Sequence, residues 1–224
     1  MKTKYWISGF PATFATNREK EWKDQIYKAL SGKQYCGSSI GLEFIFNKDN
    51  FGKYQFDIDN LCEPVFAVLT SSLGWFSGKR TNIALWTARK RIGDEQGLLI
   101  YSIDSCPPEI ANCSPLFDEV YDGKLPEKAT DKVLPSWIDE RIKEKFGQQF
   151  KPPKRCSVRL QFENMQYSIA TISDGKVKPI IDCLYPIIGG DPGAPRDEII
   201  DALVVERVSS SAQRKAVRIT VWES

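Results

Sequence analysis

Apolar residues recur along the chain in two rhythms, and both rhythms come round twice in the same order. Trp22, Ile26, Ala29 and Leu30 fall at helical spacing, and so do Leu134, Ile138, Ile142 and Phe146. Ile40, Leu42, Phe44 and Phe46 alternate with other residues, the spacing that turns one face of a strand inward. "YWISGF" before the first helical stretch and "FDEVYDG" before the second read as opening strands. Closing strands are predicted around 83–88 and 98–103, then around 202–208 and 217–222. The apolar run behind "FDIDN" reads as a further helix, so β-α-β-α-β-β is read twice.

Direct comparison of the halves supports the repeat. "EWKDQIYKAL" and "SWIDERIKEK" share a Trp and an Asp at matching places, and "SIGLEFIF" matches "SVRLQFEN" in its Ser, β-branched, Leu and Phe positions. "IDNL" at Ile58 faces "IDCL" at Ile181, and "ALWTAR" at Ala84 faces "ALVVER" at Ala202. The offsets drift only from about 115 to about 123, as a few small insertions would produce. The expected fold is α+β, with two similar β-α-β-α-β-β domains with mixed sheets at 1–105 and 117–224. "DSCPPEIANCSPL" supplies a linker at 106–116.

Composition narrows the chemistry. The 224 residues contain no histidine, which removes Ser-His-Asp and Cys-His catalysis and histidine zinc sites together. Cys36, Cys62, Cys106, Cys113, Cys156 and Cys183 stand singly, without a C-x-x-C pair, and read as plain thiols. A net charge of +2 gives little long-range attraction, so contact with nucleic acid has to come from local patches. No apolar run suits a signal peptide or a membrane span, and a cytoplasmic protein without membrane contact is expected. Asn112-Cys113-Ser114 fits a glycosylation acceptor by formula, and coincidence is the simpler reading.

Asp57-Ile58-Asp59-Asn60 allows two readings. Asp and Asn cap helices, and Pro64 would suit a first helical turn. Alternatively, carboxylates at i and i+2 of an extended stretch face the same way and could share a hard cation. With the repeat in view, each half resembles the RusA family of Holliday junction resolvases. That family carries a K-P-D-x-D-N-L-x-K segment opening a helix, then an aspartate pair before a strand. In the first half Asp57, Asp59, Asn60 and Leu61 match, while Glu63 stands where the family has lysine. In the second half Lys178, Pro179, Asp182 and Leu184 match, whereas Ile180, Cys183 and Pro186 depart from the pattern. Arg196-Asp197 answers the later aspartate pair in the second half, and only Lys79-Arg80 answers it in the first.

The resemblance implies an endonuclease that cuts branched DNA with magnesium or manganese. Because the family is dimeric, it also implies that the fused halves form an intramolecular pseudo-dimer. Asp57 and Asp59 from the first half and Asp182 and Asp197 from the second are then the expected catalytic and metal-binding residues, with metal at one or both incomplete sites near the internal interface, as one composite site or two partial ones. Lys79, Arg80, Arg89, Lys90, Arg91, Lys178 and Arg196 are expected to contact DNA, with Lys151, Lys154 and Arg155 of "KPPKR" as a further basic cluster. Trp75 and Phe76 could stack on unpaired bases, while Trp86 sits in a strand and reads as core. Two alternatives stay open: a non-catalytic DNA-binding protein, and a protein-interaction module that keeps only the fold. "IIGGDPGAP" and "TSSLGWFSGK" read as equivalent loops, since neither has the lysine and hydroxyl of a phosphate-binding loop.

Overall fold

A computed structural model describes residues 3–51, 56–104, 114–172, 175–209, 211 and 214–224. In the first half β1 (Lys4–Ser8), α1 (Glu19–Leu30) and β2 (Ser39–Phe46) are followed by the short α2 (Lys48–Phe51) and by α3 (Ile58–Ala67). β3 (Leu85–Ile92) and β4 (Gly97–Ser102) close that half. In the second, β5 (Phe117–Tyr121), α4 (Val133–Phe146) and β6 (Cys156–Glu163) lead to α5 (Val177–Asp182) and α6 (Tyr185–Ile188). A two-residue hairpin, β7 (Gly190–Asp191) with β8 (Ala194–Pro195), precedes β9 (Ile200–Val208) and β10 (Ala216–Glu223). The expected linker lies largely outside the described residues, as do Cys106, Asn112 and Cys113.

All the long strands belong to one mixed sheet, in the order β1-β4-β2-β3-β9-β6-β10-β5. The α+β class holds, but the halves share a sheet where separate sheets were expected. From either edge inward the order is the same: first strand, last strand, second, third. β2 runs parallel to β3 and β6 parallel to β9, and the other neighbours are antiparallel. At the join, Leu85 pairs with Glu206, Trp86 with Val205, Thr87 with Val204 and Ala88 with Leu203. Exchanging "ALWTAR" with "ALVVER" residue by residue turns each of these pairs into another of them.

One face of the sheet carries the core. Ile40, Leu42, Phe44 and Phe46 are fully buried, and so are Val158, Leu160 and Phe162. Trp22, Ile26 and Leu30 from α1, with Leu134, Ile138 and Ile142 from α4, join the same apolar cluster, which runs through both halves. Trp86 is buried at the join, its indole Nε1 donating to the Ile169 carbonyl at 2.7 Å. The opposite face is more polar. Arg159 Nε donates to Glu206 at 2.6 Å, Arg218 Nε to Asp118 at 2.8 Å, and Arg91 pairs with Glu43. Among the described residues no helix is long and apolar enough to cross a membrane.

"TSSLGWFSGK" is not an open loop. It winds on from α3 as a π turn at Val68–Ser72 and a 3-10 turn at Trp75–Gly78, with Trp75 and Phe76 buried. Trp75 stacks on Tyr35 at 5.2 Å between ring centroids and donates from Nε1 to the Lys33 carbonyl. These rings are therefore committed to the interior, which corrects the expectation from sequence that they stack on unpaired bases.

Candidate active site

The local conformation around Asp57 answers part of the capping question. Asp57 occupies the N-cap position of α3 in extended conformation, but its side chain makes no capping hydrogen bond. Its Oδ2 instead accepts from Asn60 Nδ2 at 2.8 Å. Pro64 stands inside the helix, not in its first turn as expected. Proline has no N–H, so the Asn60 carbonyl loses its helical partner. The backbone N–H of Phe14 takes that place at 3.0 Å, tying the segment after β1 to the turn that carries the aspartates.

Phe56, just ahead of Asp57, is fixed from two sides. Its ring stacks on Phe46 at 4.5 Å, and its carbonyl accepts from Lys90 Nζ at 2.7 Å. The same ammonium donates to the Glu198 carbonyl at 2.8 Å. Lys90 thus bridges the residue before Asp57 in one half to the residue after Asp197 in the other. Burial drives its pKa down to about 8, with Arg155 also lowering it and Asp201, Asp57 and Asp197 working in the opposite sense.

On the second-half side, Lys178 and Asp182 are one turn apart on α5 and bonded at 3.2 Å. Asp197 opens a 3-10 turn ahead of β9. The chain reaches it through the β7–β8 hairpin, where Gly190 has φ +98° and a Cβ would meet the Ala194 carbonyl oxygen at 2.5 Å. Only glycine fits that turn. The Arg196 N–H then donates to the Gly189 carbonyl at 3.0 Å, closing the return.

These elements bring the predicted aspartates from both halves together. Lys178 Nζ lies 3.3 Å from Asp59 Oδ2, 3.2 Å from Asp182 Oδ1 and 3.8 Å from Asp197 Oδ2. Asp59 is fully buried, and Asp182 and Asp197 are each 8% exposed. Burial raises the pKa of all three; Asp57 raises them further, while Lys178 pulls them down. The carboxyl of Asp197 is pushed up to about 8, by burial first and then by Asp57 and Asp59. Burial works against the charge on Lys178, yet Asp59, Asp182 and Asp197 together hold its pKa above the ordinary lysine value.

Lys178 stands where a shared cation would. Among the described residues no group of three or more Asp, Glu or Cys side chains is arranged to hold a metal ion. Two observations nevertheless fit a hard divalent ion. The donors are all carboxylate oxygens, and Asp59 Oδ1 is buried without a hydrogen-bond partner. Lys178 is 28% exposed, so the cluster borders solvent on its side.

The expected DNA contacts divide. Lys178 is committed to the aspartates, and Lys90 is buried as a strut, so neither presents its ammonium to a phosphate. Arg89, Lys90 and Arg91 are consecutive in a strand, and alternation sends Lys90 towards the aspartates and its two neighbours to the opposite face, so they cannot act as one patch. Arg80 is held by Glu63 at 2.7 Å and by the Ala170 carbonyl at 3.2 Å. Lys79, Lys151 and Lys154 are exposed, Arg196 pairs with Glu198 at 3.8 Å, and Arg155 pairs with Asp201. Sequence reasoning missed Lys90 as a bridge; its signal was a single lysine at an inward-facing strand position. Thiol chemistry is absent from the site: burial pushes Cys156 and Cys183 up to about 12, and Cys62 is also raised and buried. No protein-family model matches the chain, and neither does any curated protein.

Proposed function

We propose that this chain is a divalent-cation-dependent endonuclease acting on branched or otherwise structured DNA, built as an intramolecular pseudo-dimer of two RusA-like copies, 1–105 and 117–224. The observation that carries the reading is the convergence of Asp59 with Asp182 and Asp197, drawn from opposite halves, on one lysine beside Asp57. Nothing in an ordinary folding core calls for that arrangement, because gathering buried like charges costs stability. Such clusters are characteristic of sites that handle charge.

Asp57, Asp59, Asp182 and Asp197 would hold magnesium or manganese. Bound there, the ion would supply a hydroxide near neutral pH and neutralise charge at phosphorus. Lys178 offsets the charge of the carboxylates until then, and Lys90 fixes the backbone beside Asp57 and Asp197. Burial, Asp57 and Asp59 hold the Asp197 carboxyl protonated to higher pH than an ordinary aspartate, so loading competes with that proton and strengthens as pH rises. Lys79, Lys151, Lys154 and Arg196 are the basic residues left for phosphate contact.

A second reading, DNA binding without hydrolysis, draws on the Glu63–Arg80 ion pair, which reverses charge at two positions of the resemblance. Labelled four-way junctions and linear duplex, incubated with and without magnesium, separate the readings. The first expects cation-dependent cutting of junctions that is lost in Asp59→Asn and in Asp182→Asn. Unchanged cutting in both variants refutes it. Salt-sensitive junction binding without cutting supports the second reading, and no binding leaves a protein-interaction module.

A further inference from the structure

Exchange of the halves places Asp59 on Asp182, but it does not place the remaining carboxylates on one another. Asp57 falls on Ile180, an apolar side chain without solvent exposure. Asp197, in the turn ahead of β9, is answered by Lys79 and Arg80 in the turn ahead of β3. Arg80 Nη1 donates to Glu63 Oε1 at 2.7 Å and to the Ala170 carbonyl at 3.2 Å, while Glu63 Oε2 accepts from the Ile172 N–H at 3.0 Å. Both oxygens of Glu63 are therefore occupied, and its ion pair joins α3 to the 170–172 segment of the other half. A guanidinium in that position repels a cation and replaces the carboxylate that would hold one.

The other member of the exchanged pair is in the opposite condition. Asp57 and Asp59 crowd Asp197, Lys178 and Lys90 are the cations that act on the group, and Asp59 Oδ1 is buried and unpartnered.

Building on the endonuclease reading, we infer that the chain has a single hydrolytic centre, formed by Asp57 and Asp59 of the first half and Asp197 of the second with Asp182 beside it. The symmetry-related position is closed by Glu63–Arg80, and one binding event cuts one strand. Each event consumes one water: its oxygen bonds to phosphorus, one phosphorus–oxygen ester bond breaks, and a proton ends on the leaving oxygen. The products are one hydroxyl end and one phosphomonoester end. A doubled fold of this kind is a nicking enzyme for branched DNA, in contrast to a pair of coordinated cutters.

A supercoiled plasmid with an extruded inverted repeat, challenged with excess unlabelled junction once complexes have formed, restricts each complex to one event. Nicked circle without linear product is expected; linear product formed directly under the trap overturns the inference. No product of either kind defeats the endonuclease reading itself, and the single centre is then decided by manganese alone. Electron paramagnetic resonance titration should show that Asp197→Asn and Asp57→Asn each remove essentially all bound Mn²⁺ while cooperative melting is kept. Retention of half the wild-type equivalents in both variants, or no binding by the wild type, overturns the single centre.

Discussion

Replacing Asp197 by asparagine should make the protein more stable, and the gain should grow with pH. The carboxyl is raised from 3.8 to about 8 by burial and by Asp57 and Asp59, with Lys178 only partly offsetting them. Below about pH 4 it is protonated in both folded and unfolded chains and contributes nothing. Between about 4 and 8 the unfolded chain has released the proton that the folded chain keeps, so wild-type stability falls as pH rises. Above about 8 the deficit is constant. At about 1.4 kcal/mol per pKa unit, a site with no relief would cost roughly 5–6 kcal/mol at the plateau. Lys178 beside it is 28% exposed, however, and the nearby solvent screens the charges, so roughly half that figure is expected, about 2–3 kcal/mol. For a chain of this size that is roughly 5–10 °C in melting temperature. Asparagine keeps the shape and carries no charge, so thermal melts of both proteins at pH 5 and pH 8.5 measure the difference. Equal melting at pH 8.5, or a less stable variant there, would show that the aspartates do not crowd one another as described.

Two further outcomes follow from the same geometry. Lys178→Met removes the ammonium shared by three aspartates and should cost about 2–3 kcal/mol at pH 8.5, less than a fully buried pair because the lysine is partly exposed. The loss should shrink at pH 5, where the carboxylates take up protons, and millimolar magnesium should raise the variant's melting temperature more than the wild type's; an equal loss at both pH values counts against the cluster. Lys90→Met deletes the bridge between the Phe56 and Glu198 carbonyls and should weaken Mn²⁺ binding roughly 10–100-fold while melting stays cooperative. Unchanged Mn²⁺ affinity would make Lys90 a purely structural residue.

Much of the architecture is legible in the chain because its determinants are local. Val158, Leu160 and Phe162 are buried as alternation requires, and Trp22, Ile26 and Leu30 as helical spacing requires. The joining of both halves in one sheet depends on register between segments far apart in sequence, and periodicity carries no information on that. Pro64 illustrates the same limit. Its place inside α3 is acceptable only because Phe14, far away in sequence, satisfies the Asn60 carbonyl. The basic run at 89–91 misled for a different reason: charge was read along the chain, whereas strand geometry divides it between two faces. Asp57, Asp59, Asp182 and Asp197 could be named from motif fragments, but their meeting is set by the β3–β9 pairing and by Lys90, which no fragment contains.

That division between local and distant determinants bears on how an uneven site could arise. In a homodimer a substitution appears in both subunits, so losing an aspartate from one site loses it from both. Fusion removes the constraint, because each half then changes alone. On the proposed reading, Ile180 and Arg80 could replace carboxylates on one side while Asp57 and Asp197 stayed on the other. Stability favours such loss: a buried apolar side chain and a paired Glu63–Arg80 cost less than a second set of crowded acids. On that reading, what resists it is function at the proposed remaining centre, where the strain is kept. The Asp197→Asn melts therefore test more than one residue, since a protein freed of that strain should be more stable and unable to load a cation.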